Sequence, residues 1–329
     1  MRAAWYARNG DAASVLEVGE LPTPEPGPGE VRVRLEASGV NPSDVKSRAG
    51  SRPVPSGGFI VPHSDGAGVI DRVGEGVPAS RAGERVWIWN GQWQRSLGTA
   101  AQYIVLPAMQ AVPLPEGTSF EAGACLGIPA LTALHAVEKL GAIAGKTVLV
   151  TGAASGVGYY AAQMARVKGA RVIGTVGSPE KAQALARVGV NETIAYKTEP
   201  VAERLRELTA GRGVDGIVDM DFSTTARLVA DGAMAPHGVF ACYGSNFRGE
   251  VPVEFGAWLP RSISLHFFLV YDLLPAERQH AVQQLNALLA GGRLQHLLTP
   301  AYALQDIVAA HQAVESGRVL GNVVLHLPQ

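Results

Sequence analysis

One stretch near the middle of the chain constrains the fold more than any other: TVLVTGAASGVGYYAAQMARVKGARVIGTV, residues 147–176. Its continuous apolar start, Thr147 to Gly152, predicts a strand that is buried on both faces. Small residues follow, then a helix from Val157 to Val167 and a second strand from Arg171 to Val176. Buried strands joined by a helix predict a doubly wound, parallel α/β sheet.

The turn between the first strand and the helix, Ala153-Ala154-Ser155-Gly156-Val157-Gly158, is typical of a dinucleotide-binding site. Glycines let a pyrophosphate approach the backbone N–H groups that begin the helix, and Gly158 lets that helix pack closely on the sheet. The usual first glycine is Ala153 here, with Gly152 before it. The alternative is a turn without a nucleotide, which needs small residues only for packing.

The end of the second strand distinguishes the two nicotinamide cofactors. NAD sites usually place Asp or Glu there, where the acid binds the ribose 2′-hydroxyl. This chain reads GTVGS over residues 174–178, with Lys181 one turn into the next helix. An acid would repel a 2′-phosphate, whereas Ser178 and Lys181 would bind it. The sequence therefore predicts NADPH, and the alternative is that Lys181 is an ordinary solvated helix residue.

The chain before and after this region has a different pattern of residues. Residues 1 to about 120 contain short strands separated by Pro/Gly loops, and Val31 to Ser38 alternates apolar and polar side chains. After about Pro275 we expect a helix, a strand, a second helix and a final strand that return to the first domain. The predicted α/β fold combines a β-rich domain, residues 1–122 and 275–329, with a Rossmann domain, residues 123–274.

Composition narrows the possible functions. The net charge is −1 and no basic stripe occurs, which disfavours nucleic-acid binding. The N-terminus lacks the apolar segment of a signal peptide, and no apolar stretch of about 18 residues occurs, so we expect a cytoplasmic protein without membrane contact. The two cysteines, Cys125 and Cys242, are too few for a four-cysteine zinc site and are expected to be buried thiols. No hydrolase motif is present.

Together these segments resemble the zinc-free quinone oxidoreductase (zeta-crystallin-like) branch of the medium-chain dehydrogenase/reductase superfamily. The resemblance covers nearly the whole chain and includes GVNPSDVKSRAG, HSDGAGVI, GTAAQYIVLP, GIPALTALHAV, the nucleotide turn and ESGRVLGNVVL. It implies a GroES-like catalytic domain interrupted by a Rossmann domain, and a homodimer. Zinc-dependent relatives carry ligands where Asn41 and Ser64 stand, and His63 is offset by one position, so no metal is expected. His63 is instead expected in a loop or cleft wall.

The resemblance also implies which residues line the cofactor. Those expected to contact NADPH are Pro42, Ser43, Asp44, Thr132, Ser155, Gly156, Val157, Gly177, Ser178, Lys181, Tyr196, Cys242, Tyr243, Gly244, Ser245 and Asn322. Tyr196 has half-buried packing as its alternative. Without zinc, the negative charge that develops on the substrate oxygen needs hydrogen-bond donors. Asn41 and Lys46 are the candidates, with a solvent-facing lysine as the alternative for Lys46.

Two further features leave alternatives open. Asp219 and Asp221 stand where the family commonly has an Asp followed by a glycine-containing turn, which places a carboxylate close to the nucleotide as one interpretation. A group of aromatic residues is expected either to wall a flat substrate or to pack in the core or a dimer interface: Trp87, Trp89, Trp93, Phe267, Phe268 and Tyr271.

Three functions follow from these observations. The first is an NADPH-dependent quinone reductase, and the second is an NADPH-dependent reductase of conjugated C=C bonds in enals or enones. The third is a non-catalytic NADPH-binding protein with a structural or RNA-associated role. The first is preferred, with a quinone or conjugated carbonyl compound as the small-molecule partner.

Overall fold

The computed structural model of the protein describes residues 1–327. The strands are β1 (Arg2–Trp5), β2 (Glu17–Glu20), β3 (Glu30–Val40), β4 (Asp65–Val73), β5 (Arg85–Ile88), β6 (Tyr103–Pro107), β7 (Ala111–Pro113), β8 (Thr147–Val150), β9 (Arg171–Val176), β10 (Glu192–Ala195), β11 (Val214–Asp219), β12 (Met234–Cys242), β13 (Ser264–Phe267), β14 (Tyr302–Ala303) and β15 (Val323–His326).

The α-helices are α1 (Ala12–Val15), α2 (Pro42–Lys46), α3 (Phe120–Gly123), α4 (Leu131–Lys139), α5 (Gly156–Val167), α6 (Pro179–Arg187), α7 (Val201–Leu208), α8 (Phe222–Thr225), α9 (Phe255–Trp258), α10 (Pro275–Ala290) and α11 (Ile307–Glu315). Short π-helical turns occupy Ser47–Ser51 and Leu126–Ala130. No helix among the described residues is both long and apolar enough to cross a bilayer.

The described residues divide into two compact units. Unit 1 contains residues 1–129, 286–291 and 296 onward, and unit 2 contains residues 130–285 and 292–295. The domain limits predicted from the sequence, after residues 122 and 274, stay a prediction.

Unit 1 is a mostly antiparallel β structure. Its larger sheet has the order β14-β15-β3-β4-β5-β7, with β6 also paired to β3, while β1 and β2 form a separate ribbon. Val31, Val33 and Leu35 of β3 are fully buried, because alternate residues of a strand point to the same face. The predicted strand from Val31 to Ser38 and the β-rich character of this region are therefore confirmed.

Unit 2 contains a six-stranded parallel sheet of order β10-β9-β8-β11-β12-β13. The order reverses between β8 and β11, which is the arrangement of a Rossmann fold, and ligands bind outside the carboxyl ends of the strands at such a point. Each residue of β8 is buried, as its apolar run predicts. Helix α5 begins at Gly156 and α6 at Pro179, within one residue of the predicted starts. The predicted α/β fold class is confirmed.

Candidate active site

The turn after β8 begins with a glycine in a backbone conformation that other residues rarely adopt. Gly152 has a φ of 57°, and its N–H donates to Thr175 Oγ1 at 2.8 Å. Ser155 then caps α5, since its side-chain oxygen accepts a hydrogen bond from the Gly158 N–H at 3.1 Å. The first N–H groups of a helix lack acceptors within the helix, and their partial positive charge favours an anion. The start of α5 therefore has the geometry that an anion-binding turn requires, and its contact with a pyrophosphate stays a prediction.

Close packing explains why position 158 needs a glycine. A Cβ on Gly158 would lie 2.2 Å from the Gly152 carbonyl oxygen and 2.8 Å from Ala153 Cα, far inside van der Waals contact. The close approach brings the start of α5, with Gly156 and Val157, against the end of β8. The need for glycine at position 158 therefore follows from packing and is independent of any ligand.

Two lysines and a tyrosine lie together beyond the ends of β9 and β10. Burial first, and the charge of Lys197 second, lower the pKa of Lys181. A Cβ built on Gly177 would lie 3.1 Å from Tyr196 Oη and 3.5 Å from Lys197 Cε, so both side chains border this glycine. The structure thus brings the predicted residues Gly177, Lys181 and Tyr196 together, and adds Lys197 to them.

Sequence reasoning missed Lys197, although a signal for it existed. Strands β9 and β10 are parallel neighbours, with Ala195 opposite Val176. Residues that follow parallel neighbours therefore meet at one edge, which places Lys197 beside the end of β9. Tyr196 is 51% exposed, which agrees with the half-buried packing alternative, and its contact with the cofactor stays a prediction.

Ser178 begins α6 as predicted, but its hydroxyl is engaged. The residue has extended backbone angles and its side chain makes no bond to the helix N–H groups. It hydrogen-bonds Glu180 instead, and this bond is the largest cause that lowers the pKa of the Glu180 carboxyl. A phosphate held by Ser178 would have to replace Glu180 as its partner.

Four further predicted residues, Cys242 to Ser245, lie at the end of β12. Position 244 has no room for a side chain, because a Cβ there would lie 2.6 Å from the carbonyl oxygen of Met220. Burial raises the pKa of Cys242 to about 12, which keeps this thiol protonated at neutral pH and unreactive. The Ser245 hydroxyl donates to the Phe247 carbonyl at 2.6 Å.

Two buried hydroxyl groups of unit 2 have no hydrogen-bond partner among the described residues. They are Thr132 Oγ1, near the start of α4, and Tyr243 Oη, after β12. An unpaired buried hydroxyl costs free energy that a ligand's hydrogen bond would recover. With the N-terminus of α5 and the lysine pair, these orphaned atoms fit a nicotinamide dinucleotide, which both residues were predicted to contact.

Asp219 is a structural carboxylate at the end of β11. It is fully buried and accepts hydrogen bonds from Thr225 Oγ1 at 2.6 Å, Asp221 N at 3.1 Å and Thr151 Oγ1 at 3.3 Å. Burial raises its pKa to about 6, against the opposing effect of these bonds. Its carboxylate therefore ties the loop after β11 to the end of β8.

Asp221 completes the same loop. Its carboxylate accepts from Ser223 Oγ at 2.5 Å and from both the backbone and side-chain nitrogens of Asn246, at 2.9 and 2.7 Å. Asp219 and Asp221 thus face protein donors, and the side chain of Met220 between them lies over Gly152. The two acids therefore stabilise the loops at this edge of the sheet through hydrogen bonds within the protein.

In unit 1, Asn41 begins α2 and is held by two carboxyl groups. Its backbone N–H donates to Asp44 Oδ2 at 2.8 Å, and its side-chain Nδ2 donates to Asp65 Oδ2 at 2.9 Å. Asp65 Oδ2 also accepts from the Ile128 N–H at 3.1 Å. Asp65 therefore orients the Asn41 amide, while Asp44 caps the start of α2.

Burial dominates the chemistry of Asp44. It raises the pKa of this carboxyl to about 7, although the two hydrogen bonds from Asn41 and the charge of Arg52 act in the opposite direction. Asp44 is 4% exposed, so its carboxyl serves the helix start. Pro42 and Lys46 on the same helix are exposed, and Ser43 is partly exposed. The exposure of Lys46 fits the solvent-facing alternative as well as a role toward substrate.

Asn322 takes part in the pairing of the C-terminal tail. Its N–H donates to the Leu297 carbonyl at 2.8 Å, and its own carbonyl accepts from the Thr299 N–H at 2.9 Å. Its side-chain Nδ2 also donates to the Leu297 carbonyl, at 3.4 Å. These bonds give Asn322 a structural role in unit 1, and its contact with the cofactor stays a prediction.

The donor set in unit 1 does not fit a catalytic zinc ion. Such a site takes three protein ligands from Cys, His, Asp and Glu. No group of three such residues able to hold a metal occurs within residues 1–327. The position where relatives carry a thiolate holds Asn41, whose amide nitrogen points at Asp65.

His63 lies in a buried chain of side-chain hydrogen bonds. Its Nδ1 is 2.9 Å from Ser38 Oγ, and its Nε2 is 2.9 Å from His311 Nε2. Both histidines are fully buried, and burial lowers their pKa values, so both rings are neutral. His63 lies in the loop before β4, as one of its two expected roles has it, but its buried ring packs inside unit 1 and does not form a cleft wall.

Family models match both parts of the chain. Residues 27–116 match the model described as "Alcohol dehydrogenase GroES-like domain", and residues 156–290 match "Zinc-binding dehydrogenase". The second description carries the word zinc, but its matched residues belong to the nucleotide-binding part of the chain.

Three relatives illustrate the similarity. A quinone oxidoreductase from Pseudomonas aeruginosa is 33% identical over 94% of this chain and 95% of its own. A 2-haloacrylate reductase from a Burkholderia species is 32% identical over 100% of this chain and 99% of its own. The crystal structure of the Escherichia coli quinone oxidoreductase complexed with NADPH superposes with a TM-score of 0.85, at 27% identity over 99% of this chain and 100% of that one.

A GroES-like unit and a Rossmann unit with a dinucleotide turn define a nicotinamide-dependent oxidoreductase. The chain belongs to the quinone oxidoreductase branch of the medium-chain dehydrogenase/reductase superfamily.

Proposed function

We propose that this chain is a cytoplasmic NADPH-dependent reductase that transfers a hydride to a quinone without zinc. The observation that carries the choice of cofactor is the pair Lys181 and Lys197 beside Tyr196. Two cations next to a tyrosine hydroxyl favour a 2′-phosphate over an unmodified ribose hydroxyl. The similarity to a quinone oxidoreductase solved with NADPH supports the same choice.

When bound, NADPH supplies the hydride, and one proton from solvent completes the two-electron reduction of the acceptor. The chain's own residues bind and orient the cofactor and the acceptor. The N-terminus of α5 would hold the pyrophosphate, and the unpaired hydroxyls of Thr132 and Tyr243 would hydrogen-bond to the cofactor. Asn41, fixed by Asp65, and Lys46 stabilise the acceptor oxygen that becomes negative.

A second candidate acceptor is a conjugated C=C bond, as in an enal or enone. The similarity to a 2-haloacrylate reductase favours it. In that reaction the hydride forms a C–H bond at the β carbon, the C=C π electrons shift toward the carbonyl, and a solvent proton adds to the α carbon. The same residues serve both reactions, because in each of them negative charge develops on a carbonyl oxygen.

We also propose that the protein is a homodimer that pairs through the edge of unit 2. Strand β13 ends the six-stranded sheet, and the apolar residues Phe267 and Leu269 at this edge are 63% and 48% exposed. An unpaired edge strand with exposed apolar side chains beside it is a template for a second copy. Light scattering is expected to give twice the mass of one chain, and a Phe267→Asp variant is expected to give the mass of one. A single-chain mass for the unmodified protein would contradict the proposal.

The proposed reaction is tested by mixing purified protein with NADPH or NADH and a panel of quinones, enones and simple aldehydes. We expect NADPH absorbance to be lost with quinones or enones and not with aldehydes, and much less with NADH. The faster acceptor class decides between the two reductions. A Lys46→Gln variant is expected to lower kcat about tenfold with an unchanged KM for NADPH, since Lys46 acts on the acceptor oxygen.

Other outcomes have distinct meanings. Tight NADPH binding without turnover of any acceptor would favour the non-catalytic role, and a salt-dependent shift of RNA would then support an RNA-associated function. Unchanged kcat in Lys46→Gln would remove Lys46 from the chemistry while leaving the reaction in place.

A further inference from the structure

Unit 1 contains a cavity that none of the roles described above uses. Its volume is about 280 Å³, at the lower end of the range for ligand pockets, so it suits a small molecule. The residues that line it include Tyr6, Ser47, Arg52, Ile60, Trp93 and Arg95.

The lining of this cavity is positively charged. It includes two arginines, Arg52 and Arg95, and no lining residue within the described part of the chain is an acid. Tyr6 does not supply a negative charge, because burial raises the pKa of its phenol to about 12. From outside the lining, Asp44 interacts electrostatically with Arg52, and Glu30 with Arg95.

Each arginine has a neutral side chain among its contacts. The Arg52 guanidinium carbon lies 4.1 Å from the centre of the Trp93 ring. This stacking uses the flat face of the guanidinium, and its N–H groups project in the plane. Arg95 Nη2 donates to the neutral Gln110 Oε1 at 2.6 Å, and burial lowers the pKa of Arg95. Oriented, partly desolvated guanidinium groups favour a carboxylate or sulfonate.

The cavity is also connected to a residue already assigned to the reaction. Ser47 lines it and directly follows Lys46, the last residue of α2. The same helix begins at Asn41. The cavity therefore lies next to the C-terminal end of α2, the helix that carries Lys46.

We propose that this cavity binds the anionic end of the acceptor, and that the enzyme prefers small conjugated acceptors bearing a carboxylate or sulfonate. The inference rests on the proposed function and names the class of its substrate. Arg52 and Arg95 bind the anionic group, while Ile60 and the prolines at positions 53 and 55 supply an apolar wall. The relative named for 2-haloacrylate carries this chemistry in its name, since that compound is a conjugated carboxylate.

The test compares matched acceptors that differ in charge. Menadione and naphthoquinone sulfonate form a neutral and anionic quinone pair, and chloroacrylate methyl ester and chloroacrylate form the corresponding C=C pair. Because the pairs also differ in intrinsic reactivity, the measured quantity is the anionic-to-neutral ratio of kcat/KM in each variant divided by that ratio in the unmodified enzyme.

We expect Arg52→Gln and Arg95→Gln each to lower this ratio about tenfold or more, through a higher KM for the anionic acceptor, since a charged hydrogen bond is lost. The neutral acceptors should change by less than about twofold. Arg52→Lys is expected to retain part of the preference because it keeps the charge but not the planar fork. Arg72→Gln, at an exposed arginine of the same unit that pairs with Glu25, is the matched control and should leave the ratio unchanged.

Binding without turnover gives an independent measurement. Benzoate is expected to quench tryptophan fluorescence by occupying the cavity next to Trp93, and each Arg→Gln variant should weaken that binding. Reduction of neutral and anionic quinones with the same ratio in all variants, and no arginine-dependent benzoate binding, would overturn this inference and leave the proposed function standing. Arginine-dependent benzoate binding without reduction of any acceptor would instead overturn the proposed function and keep the anion site.

Discussion

Replacing both Lys181 and Lys197 with alanine is expected to raise the KM for NADPH about a hundredfold, while the KM for NADH changes by less than about threefold. The two lysines lie together beyond the ends of β9 and β10, where burial first and the charge of Lys197 second lower the pKa of Lys181. A dianionic phosphate between them would offset the repulsion between these two like charges. Each charge-assisted bond contributes about 1.5–3 kcal/mol, discounted here because both sites are partly exposed.

The measurement is steady-state kinetics with each cofactor at a saturating acceptor concentration. Lys181→Ala and Lys197→Ala are each expected to give an intermediate loss, which separates the residue predicted from the sequence from the one found in the structure. Lys168→Ala, at an exposed lysine after α5, is the control for a general change of surface charge. An unchanged NADPH-to-NADH preference in the double variant would remove the 2′-phosphate from this site.

Replacing Asp44 with Asn is expected to stabilise the protein at pH 8 but not at pH 4. Burial raises the pKa of Asp44 from 3.8 to about 7. The pKa of Asp44 is higher in the folded state than in the unfolded state. The protonated carboxyl therefore contributes its full stability below about pH 4, where both states are protonated. The contribution is then lost as the pH rises through about 7. Asn is neutral throughout and keeps an oxygen to accept from the Asn41 N–H, so it avoids this loss.

The expected difference in free energy of unfolding between Asp44→Asn and the unmodified protein is near zero at pH 4. It grows to at most about 4 kcal/mol above pH 7, from about 1.4 kcal/mol per pH unit. Denaturant unfolding across this range measures it. The buried pair His63 and His311 has lowered pKa values and destabilises both proteins alike in acid, so this effect cancels in the difference. Asp11→Asn, at an exposed acid, is the control. A difference that does not vary with pH would contradict the burial of an ionisable Asp44.

The elements around the nucleotide turn were predictable because they follow local rules. A buried apolar run, glycines at a sharp turn and an N-cap serine determine backbone conformation over a few residues, and the structure has β8, α5, β9 and α6 where these rules place them. The strand at Val31 was equally predictable, since its alternating apolar side chains share one face that must be buried. The packing role of Gly158 was also predictable, because it depends only on the turn that directly precedes the helix.

The candidate site was only partly predictable, because side chains distant in sequence decide its chemistry. Asp219 and Asp221 suggested a carboxylate at the nucleotide, yet loop donors at Thr225 and Asn246 turn both carboxylates toward the protein. His63 was expected in a loop or a cleft wall, and it lies in the loop before β4, but its pairing with His311 inside unit 1 was not predictable. In each case the partner lies on another element, and no local pattern indicates it.

The sequence by itself determined a Rossmann sheet with a dinucleotide turn and a β-rich companion, and it predicts NADPH as the cofactor. These depend on hydrophobic periodicity, backbone freedom at glycine and the absence of an acid at one strand end, which are all properties of neighbouring residues. Only the tertiary structure decided that Lys197 joins Lys181, that Asp65 orients Asn41, and that two arginines share a cavity with Trp93. Those contacts depend on strand register and on burial, which set distances between residues that the chain itself keeps far apart.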